Sequence, residues 1–101
     1  MTNIGLNQIS GFEWDEGNKE KNWKSHQVMS QECEEVFADP NYYYYEDHKH
    51  SLSESRFGIS GKTFTGRLLR MVFTIRNNKI RIITARDMNK KERSHYGAEK
   101  K

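Results

Sequence analysis

Two arginines stand at unusual places in the C-terminal part of the sequence, where strand-like and helix-like patterns meet. Arg81 interrupts the isoleucines of "KIRIITA", and Arg86 follows that run directly, at the start of "RDMNKKERSHY". A guanidinium group carries a fixed positive charge and a fork of donors that matches the oxygens of a phosphate group. Arginines that gather on one open surface therefore favour the binding of a polyanion. With tyrosines beside them they suit single-stranded RNA.

One reaction of RNA needs neither a metal nor a nucleophile from the protein. The 2′-hydroxyl attacks the neighbouring phosphodiester, and the protein has to move two protons and stabilise the charge of the transition state. Arginines supply that charge, and the candidate proton carriers are three histidines: His26, His50 and His95. The tyrosines at 42–45 and Tyr96 are candidates for base stacking. The alternative is a solvated sheet face whose arginines form salt bridges with Glu54 and Glu92, and the pattern leaves both open.

Other kinds of chemistry have weaker signals. Asp47, His48 and His50 are residue types that bind metals, but their spacing in "EDHKH" matches no established zinc arrangement. Cys33 falls on the apolar face of a predicted helix, which indicates a small buried hydrophobe rather than a nucleophile. The sequence has no Gly-x-Ser-x-Gly elbow and no glycine-rich phosphate loop. We therefore predict no metal and no cofactor.

The arginines depend on a predicted hairpin for their positions. The strands "RLLRMVFTI" (67–75) and "KIRIITA" (79–85) meet at Asn77 and Asn78, which tolerate the positive φ of a two-residue type I′ turn. That turn predicts an apolar face with three cross-strand pairs: Ile75 with Ile80, Phe73 with Ile82, and Met71 with Thr84. It predicts three other pairs on the opposite, wetter face: Thr74 with Arg81, Val72 with Ile83, and Arg70 with Ala85. Alternation in "SRFGIS" (55–60) adds Arg56 to the wetter face.

The remaining segments predict a small α+β domain. "FEWD" (12–15) is typical of extended chain, Asp15 can cap a helix to about Ser25 with Trp23 as its anchor, and Ser30 can cap a second helix. Asn89 and Glu92 form a capping-box pair before a short C-terminal helix, on which Arg93 and Tyr96 can share a face. We therefore predict an antiparallel sheet with two N-terminal helices packed on one face and a short C-terminal helix.

Composition limits the class of protein. The 101 residues fit one domain, 1–101, with 1–10 and 97–101 as flexible ends, and no apolar run is long enough to cross a membrane. The first residues lack the pattern of a signal peptide, and a single cysteine cannot form an internal disulfide, so we expect a cytoplasmic protein. The net charge of +3 is uneven, because residues 1–40 hold 3 basic and 8 acidic residues whereas residues 41–101 hold 14 and 6. The basic half suits a polyanion, or the two halves complement each other in the fold.

An ordered series of short pieces resembles one known family, the BrnT-type toxins of bacterial type II toxin–antitoxin systems. The series runs from "FEWD" to Tyr96 through Lys19 and Asn22, His26 followed by Val28, "VFADP", "HSLSESR", "GRLL", "RIITAR" and "ER". The resemblance implies a compact RelE-like fold and a ribonuclease that inhibits translation and arrests growth. It also implies a cognate BrnA-type antitoxin with a ribbon-helix-helix domain. The toxin–antitoxin complex would repress its own operon, with the antitoxin making the contacts to operator DNA.

The resemblance also implies site residues where this sequence matches the family. The sequence departs from the family at Ser25 and Gln27, where a lysine and a glycine are common, and at Ser30, where the family has an aromatic residue. Lys24 is the candidate replacement for the missing lysine, and Arg70 is added on strand register alone. We thus predict catalytic roles for His26, Lys24, Glu54, Arg56, Arg81 and Arg86, and RNA binding by Arg67, Arg70, Arg93 and Tyr96. The alternative is a catalytically weak module that holds RNA or the antitoxin.

Overall fold

The protein has an α+β fold in which three helices accompany one sheet, as predicted. A computed structural model describes residues 10–47 and 54–99. The elements in chain order are β1 (Gly11–Phe12), α1 (Glu16–His26), α2 (Ser30–Val36), β2 (Tyr43–Glu46), β3 (Phe57–Lys62), β4 (Leu68–Arg76), β5 (Lys79–Asp87) and α3 (Lys90–Glu99). Most of the two chain ends that we predicted to be flexible, namely residues 1–9 and 100–101, lies outside the described residues. No helix in the described part of the chain is long and apolar enough to span a bilayer.

The five strands form one mixed sheet in the order β1-β5-β4-β3-β2. Strands β2 to β5 pair antiparallel, whereas β1 pairs parallel to β5 through Gly11 opposite Lys79 and Phe12 opposite Ile80. The sheet is therefore not wholly antiparallel, because β1 and β5 are joined through the whole intervening chain rather than by a tight turn. Strand β2 adds a fourth antiparallel strand to the three that the sequence predicts.

The hairpin turn between β4 and β5 is the one that the sequence predicts. Asn77 and Asn78 have φ values of 52° and 63°, which a type I′ turn requires. Next to this turn the predicted register is confirmed, since Ile75 pairs with Ile80 and Thr74 with Arg81. Phe73 also pairs with Ile82, so the first half of the hairpin has the predicted inward and outward faces.

The far half of the hairpin departs from the predicted register because of a β-bulge at Ile83. The register shifts between Val72 and Phe73, so that Ile83 has no partner position in the ladder. The predicted pairs Met71 with Thr84, Val72 with Ile83 and Arg70 with Ala85 are therefore wrong. The observed pairs are Val72 with Thr84, Met71 with Ala85, and Arg70 with Arg86. One extra residue reverses the side-chain alternation, which buries Ala85 in the core and turns Arg86 to the same face as Arg81.

The hydrophobic core lies on one face of the sheet, beneath α2. Cys33 and Val36 of α2 and the preceding Val28 are almost fully buried against the apolar side chains of the central strands. Those strand residues are Phe57, Ile59, Leu69, Met71, Phe73, Ile80, Ile82 and Ala85. Helix α2 begins at Ser30 with Met29 in the cap position, one residue earlier than predicted, and Glu32 accepts the hydrogen bond of the Met29 amide.

Helix α1 supplies polar contacts rather than an apolar anchor. Trp23, its predicted anchor, is 51% exposed, and the buried residues of the helix are Asn18 and Asn22. Asn18 Nδ2 donates to the carbonyl of Ile82 at 3.3 Å, and Lys21 Nζ donates to that of Ile83 at 3.4 Å. In the described part of the chain β1 ends opposite Ile80, so α1 covers the edge of β5 that β1 leaves open. A helix that shields backbone carbonyls at a sheet edge needs polar side chains there, which explains its composition.

Candidate functional site

Most of the arginines with predicted site roles fall into three groups in the fold. The first group lines an open cleft of about 490 Å³ between α1 and the turn end of the β4–β5 hairpin. We call it the basic cleft. Its charged lining residues are Asp15, Lys21, Glu54, Arg56, Arg76 and Arg81. Four cations face two carboxylates there, so the cleft keeps an excess of positive charge that favours an anion.

Arg81 lies at the centre of this charge arrangement. Its Nη2 atom is 2.9 Å from Asp15 Oδ2, and its Nη1 atom is 3.7 Å from Glu13 Oε1. Asp15 is also the N-cap of α1, where its carboxylate accepts the hydrogen bond of the Asn18 amide at 2.9 Å. That backbone hydrogen bond and the Arg81 side chain lower the pKa of Asp15. The cap of α1 and the orientation of Arg81 therefore depend on the same carboxylate.

Glu54 and Arg76 form the second pair in the basic cleft. Arg76 Nε lies 3.1 Å from Glu54 Oε1, and Arg76 Nη2 lies 3.2 Å from Glu54 Oε2. The hydrogen bond and charge of Arg76, with the further charges of Arg56 and Arg81, lower the pKa of Glu54. Glu54 is therefore an ionised carboxylate at neutral pH, placed among cations and able to accept a proton or a hydroxyl hydrogen bond.

The second group lies on the same face of the sheet, under the first turn of α3. Arg86 donates a hydrogen bond of 2.8 Å to each carboxylate oxygen of Glu92, and Arg70 donates one of 3.5 Å to Glu92 Oε2. The Arg70 guanidinium also sits over the ring of Tyr45, 4.8 Å from its centroid. Hydrogen bonding to Arg86 lowers the pKa of Glu92 to about 2. We call Glu92, Arg70, Arg86 and Tyr45 the Glu92 cluster.

The strand register gives the separation of these two groups. Arg81 stands opposite Thr74, and Arg86 stands opposite Arg70. Four residues of β4 separate those positions, which corresponds to about 13 Å along the strand. The bulge at Ile83 is what brings both groups to one face. The salt bridges with Glu54 and Glu92 that we considered as the alternative to an RNA surface are both present, on Arg76 and on Arg86.

The third group is centred on Arg67, which the fold separates from Arg81. The Arg67 guanidinium contacts Asp87 at 2.7 Å and Glu32 at 3.1 Å. It also donates to the carbonyls of His26 and Gln27 at the C-terminal end of α1. A cation at that end compensates the partial negative charge of the helix terminus. Arg67 therefore joins α1, α2 and β5 and lies apart from Arg56 and Arg81 of the basic cleft.

His26 and Lys24 lie in the last turn of α1 and do not line the basic cleft. Both side chains are exposed, and Lys24 Nζ is 3.9 Å from Glu20. His26 is eight residues further along α1 than Asn18, about 12 Å along the helix axis. The charge of His26 adds to that of Arg67, the main cause, in lowering the pKa of Asp87. The structure thus places Glu54, Arg56 and Arg81 together and leaves His26, Lys24 and Arg86 at other positions.

Tyr96 and Arg93 do not share one outward face of α3. Tyr96 is 4% exposed, and its hydroxyl donates to Asp39 Oδ2 at 2.6 Å. Burial and that hydrogen bond raise the pKa of Tyr96 to about 12. Arg93 is exposed and donates to the carbonyl of Met88. The buried ring is not open for base stacking, because the fold uses Tyr96 to attach α3 to the segment after α2.

Two further predictions concern reactive and metal-binding residues. Cys33 is fully buried, as predicted, and burial raises its pKa to about 12, which disfavours the thiolate. Of the "EDHKH" segment, His48 and His50 lie outside the described residues. Within residues 10–47 and 54–99, no three His, Cys, Asp or Glu side chains come together as a metal site.

Three charged residues of the basic cleft, Asp15, Lys21 and Arg76, are not among the predicted site residues. Arg76 carried a usable signal, because it lies two residues after Thr74 and therefore on the face of Arg81. Asp15 and Lys21 carried none, since only the docking of α1 against the edge of β5 brings them to the cleft. The capping role predicted for Asp15 is confirmed, but its bond to Arg81 depends on tertiary structure.

Comparison with known proteins adds the family to this geometry. A search of curated proteins found no match to the chain. One family profile does match, over residues 14–92, and it is described as a ribonuclease toxin, BrnT, of type II toxin–antitoxin systems. The matched segment runs from the residue before Asp15 to Glu92, so it includes the basic cleft and the Glu92 cluster. The chain therefore belongs to the BrnT family of ribonuclease toxins of type II toxin–antitoxin systems.

Proposed function

We propose that this toxin cleaves RNA in the basic cleft by attack of the 2′-hydroxyl on the neighbouring phosphodiester, without a metal. The observation that carries the proposal is the excess of cations over carboxylates in an open cleft of a ribonuclease toxin. In this mechanism Arg56 and Arg81 hold the non-bridging phosphate oxygens. Their fixed charge stabilises the transition state, an effect worth about 100-fold to 1,000-fold in rate for one donor in other enzymes. Arg81 would exchange Asp15 for the phosphate, since both present oxygen acceptors.

Glu54 is the proposed acceptor of the proton from the 2′-hydroxyl. As the 2′-oxygen bonds to phosphorus, the bond from phosphorus to the 5′-oxygen breaks, and the 5′-oxygen takes its proton from water, which leaves a 2′,3′-cyclic phosphate and a 5′-hydroxyl. Glu54 is ionised at neutral pH, as glutamate ordinarily is, Arg76 lowers its pKa further, and it lies in the cleft beside Arg56. An ionised carboxylate is a weak base but is always in the form that accepts a proton. His26 and Lys24 lie at the other end of α1, so we propose that they contact the RNA strand beyond the scissile phosphate. Arg70, Arg86 and the exposed Arg93 extend the positive surface on the α3 side.

A BrnA-type ribbon-helix-helix antitoxin is the proposed partner, and the cytoplasm is the proposed compartment. Family membership supports an antitoxin in general, because the family is that of type II toxin–antitoxin systems. The resemblance of the sequence to BrnT-type toxins supports the finer assignment. Operator DNA would then be contacted by the antitoxin, and the toxin would meet DNA only through that complex.

The experiment that tests the mechanism is cleavage of a short RNA by the purified toxin, with and without a chelator. We expect new RNA ends in both conditions. Arg81→Ala should lower the cleavage rate by about 100-fold, because a charge aimed at the transition state is lost. Lys90→Ala is the matched control, since it removes an exposed cation from α3. Loss of cleavage in the chelator, or equal activity of Arg81→Ala and wild type, would overturn the mechanism.

A second candidate function is binding without turnover. Two observations favour it. Ser25 stands where relatives commonly have a lysine, and Arg81 and Arg86 already form salt bridges with Asp15 and Glu92. In that case the wild-type protein would retain RNA or the antitoxin, with affinity that falls steeply with salt, and would produce no new RNA ends. The same cleavage assay therefore decides between the two functions.

A further inference from the structure

A second depression lies on the opposite side of α1 from the basic cleft, between α1 and the start of α2. Its volume is about 390 Å³. We call it the apolar groove. The lining residues used below are Glu16, Lys19, Glu20, Trp23, Val28 and Met29. Trp23 is 51% exposed and Met29 is 50% exposed, so two large apolar side chains flank the same opening.

These two side chains are not explained by the fold. The core cluster is built from Val28, α2 and the strands, without Trp23 or Met29. Helix α1 is fixed by Asp15, Asn18 and Lys21, which bond to its own backbone or to β5. A single exposed apolar residue is ordinary, but a tryptophan and a methionine around one depression are typical of binding surfaces. Methionine also adapts its shape to different partners.

Helix α1 is the wall that separates the two depressions. Glu16, Lys19, Glu20 and Trp23 follow the spacing of one helix face and line the apolar groove. Asp15, Asn18 and Lys21 belong to another face and line the basic cleft. A helix with its side chains is about 10–12 Å across, so an occupant of the apolar groove is about one helix width from Arg81.

Membership of the family indicates that the partner is an antitoxin, and the charges around the apolar groove indicate which residue types that antitoxin presents. A type II toxin is neutralised by an antitoxin, so this chain has at least one protein partner. Two glutamates and one lysine border the apolar groove, and residues 1–40 hold 8 acidic against 3 basic residues. A complementary segment therefore combines a large apolar side chain with a neighbouring lysine or arginine.

We propose that the apolar groove is a docking site for the antitoxin, whose apolar side chain inserts between Trp23 and Met29 beside a basic residue that meets Glu16 or Glu20. A segment anchored there and continued past the first turn of α1 covers the basic cleft. That second step rests on the proposed function of the cleft, whereas the docking itself does not.

The test is titration of the purified toxin with the antitoxin encoded in the same operon. Trp23→Ser and Met29→Lys should each raise the dissociation constant by about 30-fold or more, as expected for the loss of a central apolar anchor. Phe64→Ser is the matched control, because Phe64 is 74% exposed and lies in the turn between β3 and β4. It should leave the affinity unchanged. Neither groove variant should change RNA cleavage by the free toxin.

The outcomes separate docking from catalysis. Wild-type affinity in both groove variants, or an equal loss in Phe64→Ser, would overturn the docking site. A toxin that self-associates through Trp23, with the antitoxin bound elsewhere, would overturn it as well and assign the groove to a second copy. Loss of antitoxin binding in the groove variants would support docking even if the wild-type toxin cut no RNA. If Trp23→Ser lowers the melting temperature of the toxin, its loss of affinity could come from unfolding. The affinity of Met29→Lys for the antitoxin then tests the docking site by itself.

Discussion

At the scale of single residues, Glu92 connects α3 to the sheet through several charge-assisted contacts. It accepts a forked pair of hydrogen bonds from Arg86 and a longer one from Arg70. It also forms the predicted capping box with Asn89, in which each residue's side chain accepts from the backbone amide of the other. The side chain is 15% exposed, so water screens these contacts only in part.

Glu92→Gln tests this connection through its pH dependence. The pKa of Glu92 is about 2 in the fold against an ordinary value of 4.5, so its ionisation adds stability above pH 4.5 that is lost as pH falls towards 2. The variant should therefore unfold more easily at neutral pH, by about 2 kcal/mol. The difference from wild type should shrink at about pH 3. Urea unfolding at both pH values measures it.

Glu46→Gln is the control for that experiment, since Glu46 is a partly buried glutamate on β2. It should change the free energy of unfolding little at either pH. A Glu92→Gln difference that stays constant with pH would contradict the role given to the ionised carboxylate.

The site residues differ in how far the sequence could place them. Arg81 and Glu54 could be grouped from strand alternation and from the resemblance, and they do lie in one cleft. His26 and Arg67 could not be separated from them, because local patterns do not tell which end of α1 faces which end of β5. Tyr96 had the residue type for base stacking, but only the packed structure shows its ring buried beside Asp39.

At the scale of elements, the crossing of α2 over β3 depends on a missing side chain. A Cβ atom on Gly61 would lie 2.7 Å from Val36 Cγ1 and 3.2 Å from the Val36 carbonyl oxygen. Gly61→Ala should therefore push α2 from the sheet and lower the free energy of unfolding by about 1–3 kcal/mol. Urea unfolding measures this loss.

Gly17→Ala provides a matched control on α1. A Cβ atom there would meet only the side-chain atom Asp15 Oδ1, at 3.3 Å, which can shift by a few tenths of an ångström, and alanine is the better helix former. The control should be as stable as wild type or slightly more stable. If both alanine variants behaved alike, the close approach of Val36 to β3 would not be the cause.

The bulge at Ile83 is the second feature of this scale, and deletion of Ile83 tests it. Without Ile83, Ile82 and Thr84 become neighbours and keep their present partners in β4 as one regular ladder. Ala85 therefore stays in the core and Arg86 stays on the outer face. We expect the deletion variant to retain cooperative thermal unfolding, because no charge is moved into the core. Ile83→Val keeps the bulge and should cost at most about 1.5 kcal/mol. Loss of cooperative unfolding in the deletion variant would show that Ile83 is not simply an extra residue in the ladder.

The elements were predictable where local chemistry decides them. The Asn77–Asn78 turn, the helix start at Asp15 and the Asn89–Glu92 capping box follow from short-range backbone preferences, and all are observed. The bulge could not be predicted from local chemistry, because "RIITAR" contains no glycine or other sign of an extra residue. Nor could the pattern of α1 show that it covers a sheet edge, because its few apolar residues suggested an anchor at Trp23.

At the scale of the whole molecule, the uneven charge of the chain has two uses. Acidic residues from the N-terminal part pair with arginines of the C-terminal part, as Asp15 does with Arg81 and Glu32 does with Arg67. The two halves therefore complement each other in the fold. The basic cleft nevertheless keeps four cations against two carboxylates, or three when Glu13 beside Arg81 is counted, so an excess of positive charge remains.

Salt dependence of nucleic-acid binding measures how much of that charge an RNA strand uses. Each phosphate neutralised on a single strand contributes about −0.7 to the slope of log K against log salt. Four contacts from Lys21, Arg56, Arg76 and Arg81 give 4 × −0.7, or about −2.8. A 2′-deoxy oligonucleotide, which cannot be cleaved by 2′-hydroxyl attack, allows binding to be titrated without turnover. Arg81→Ala should reduce the slope by about 0.7, while Lys90→Ala should leave it unchanged. An equal reduction in both variants would mean that the strand follows the general positive charge of the C-terminal half instead of the basic cleft.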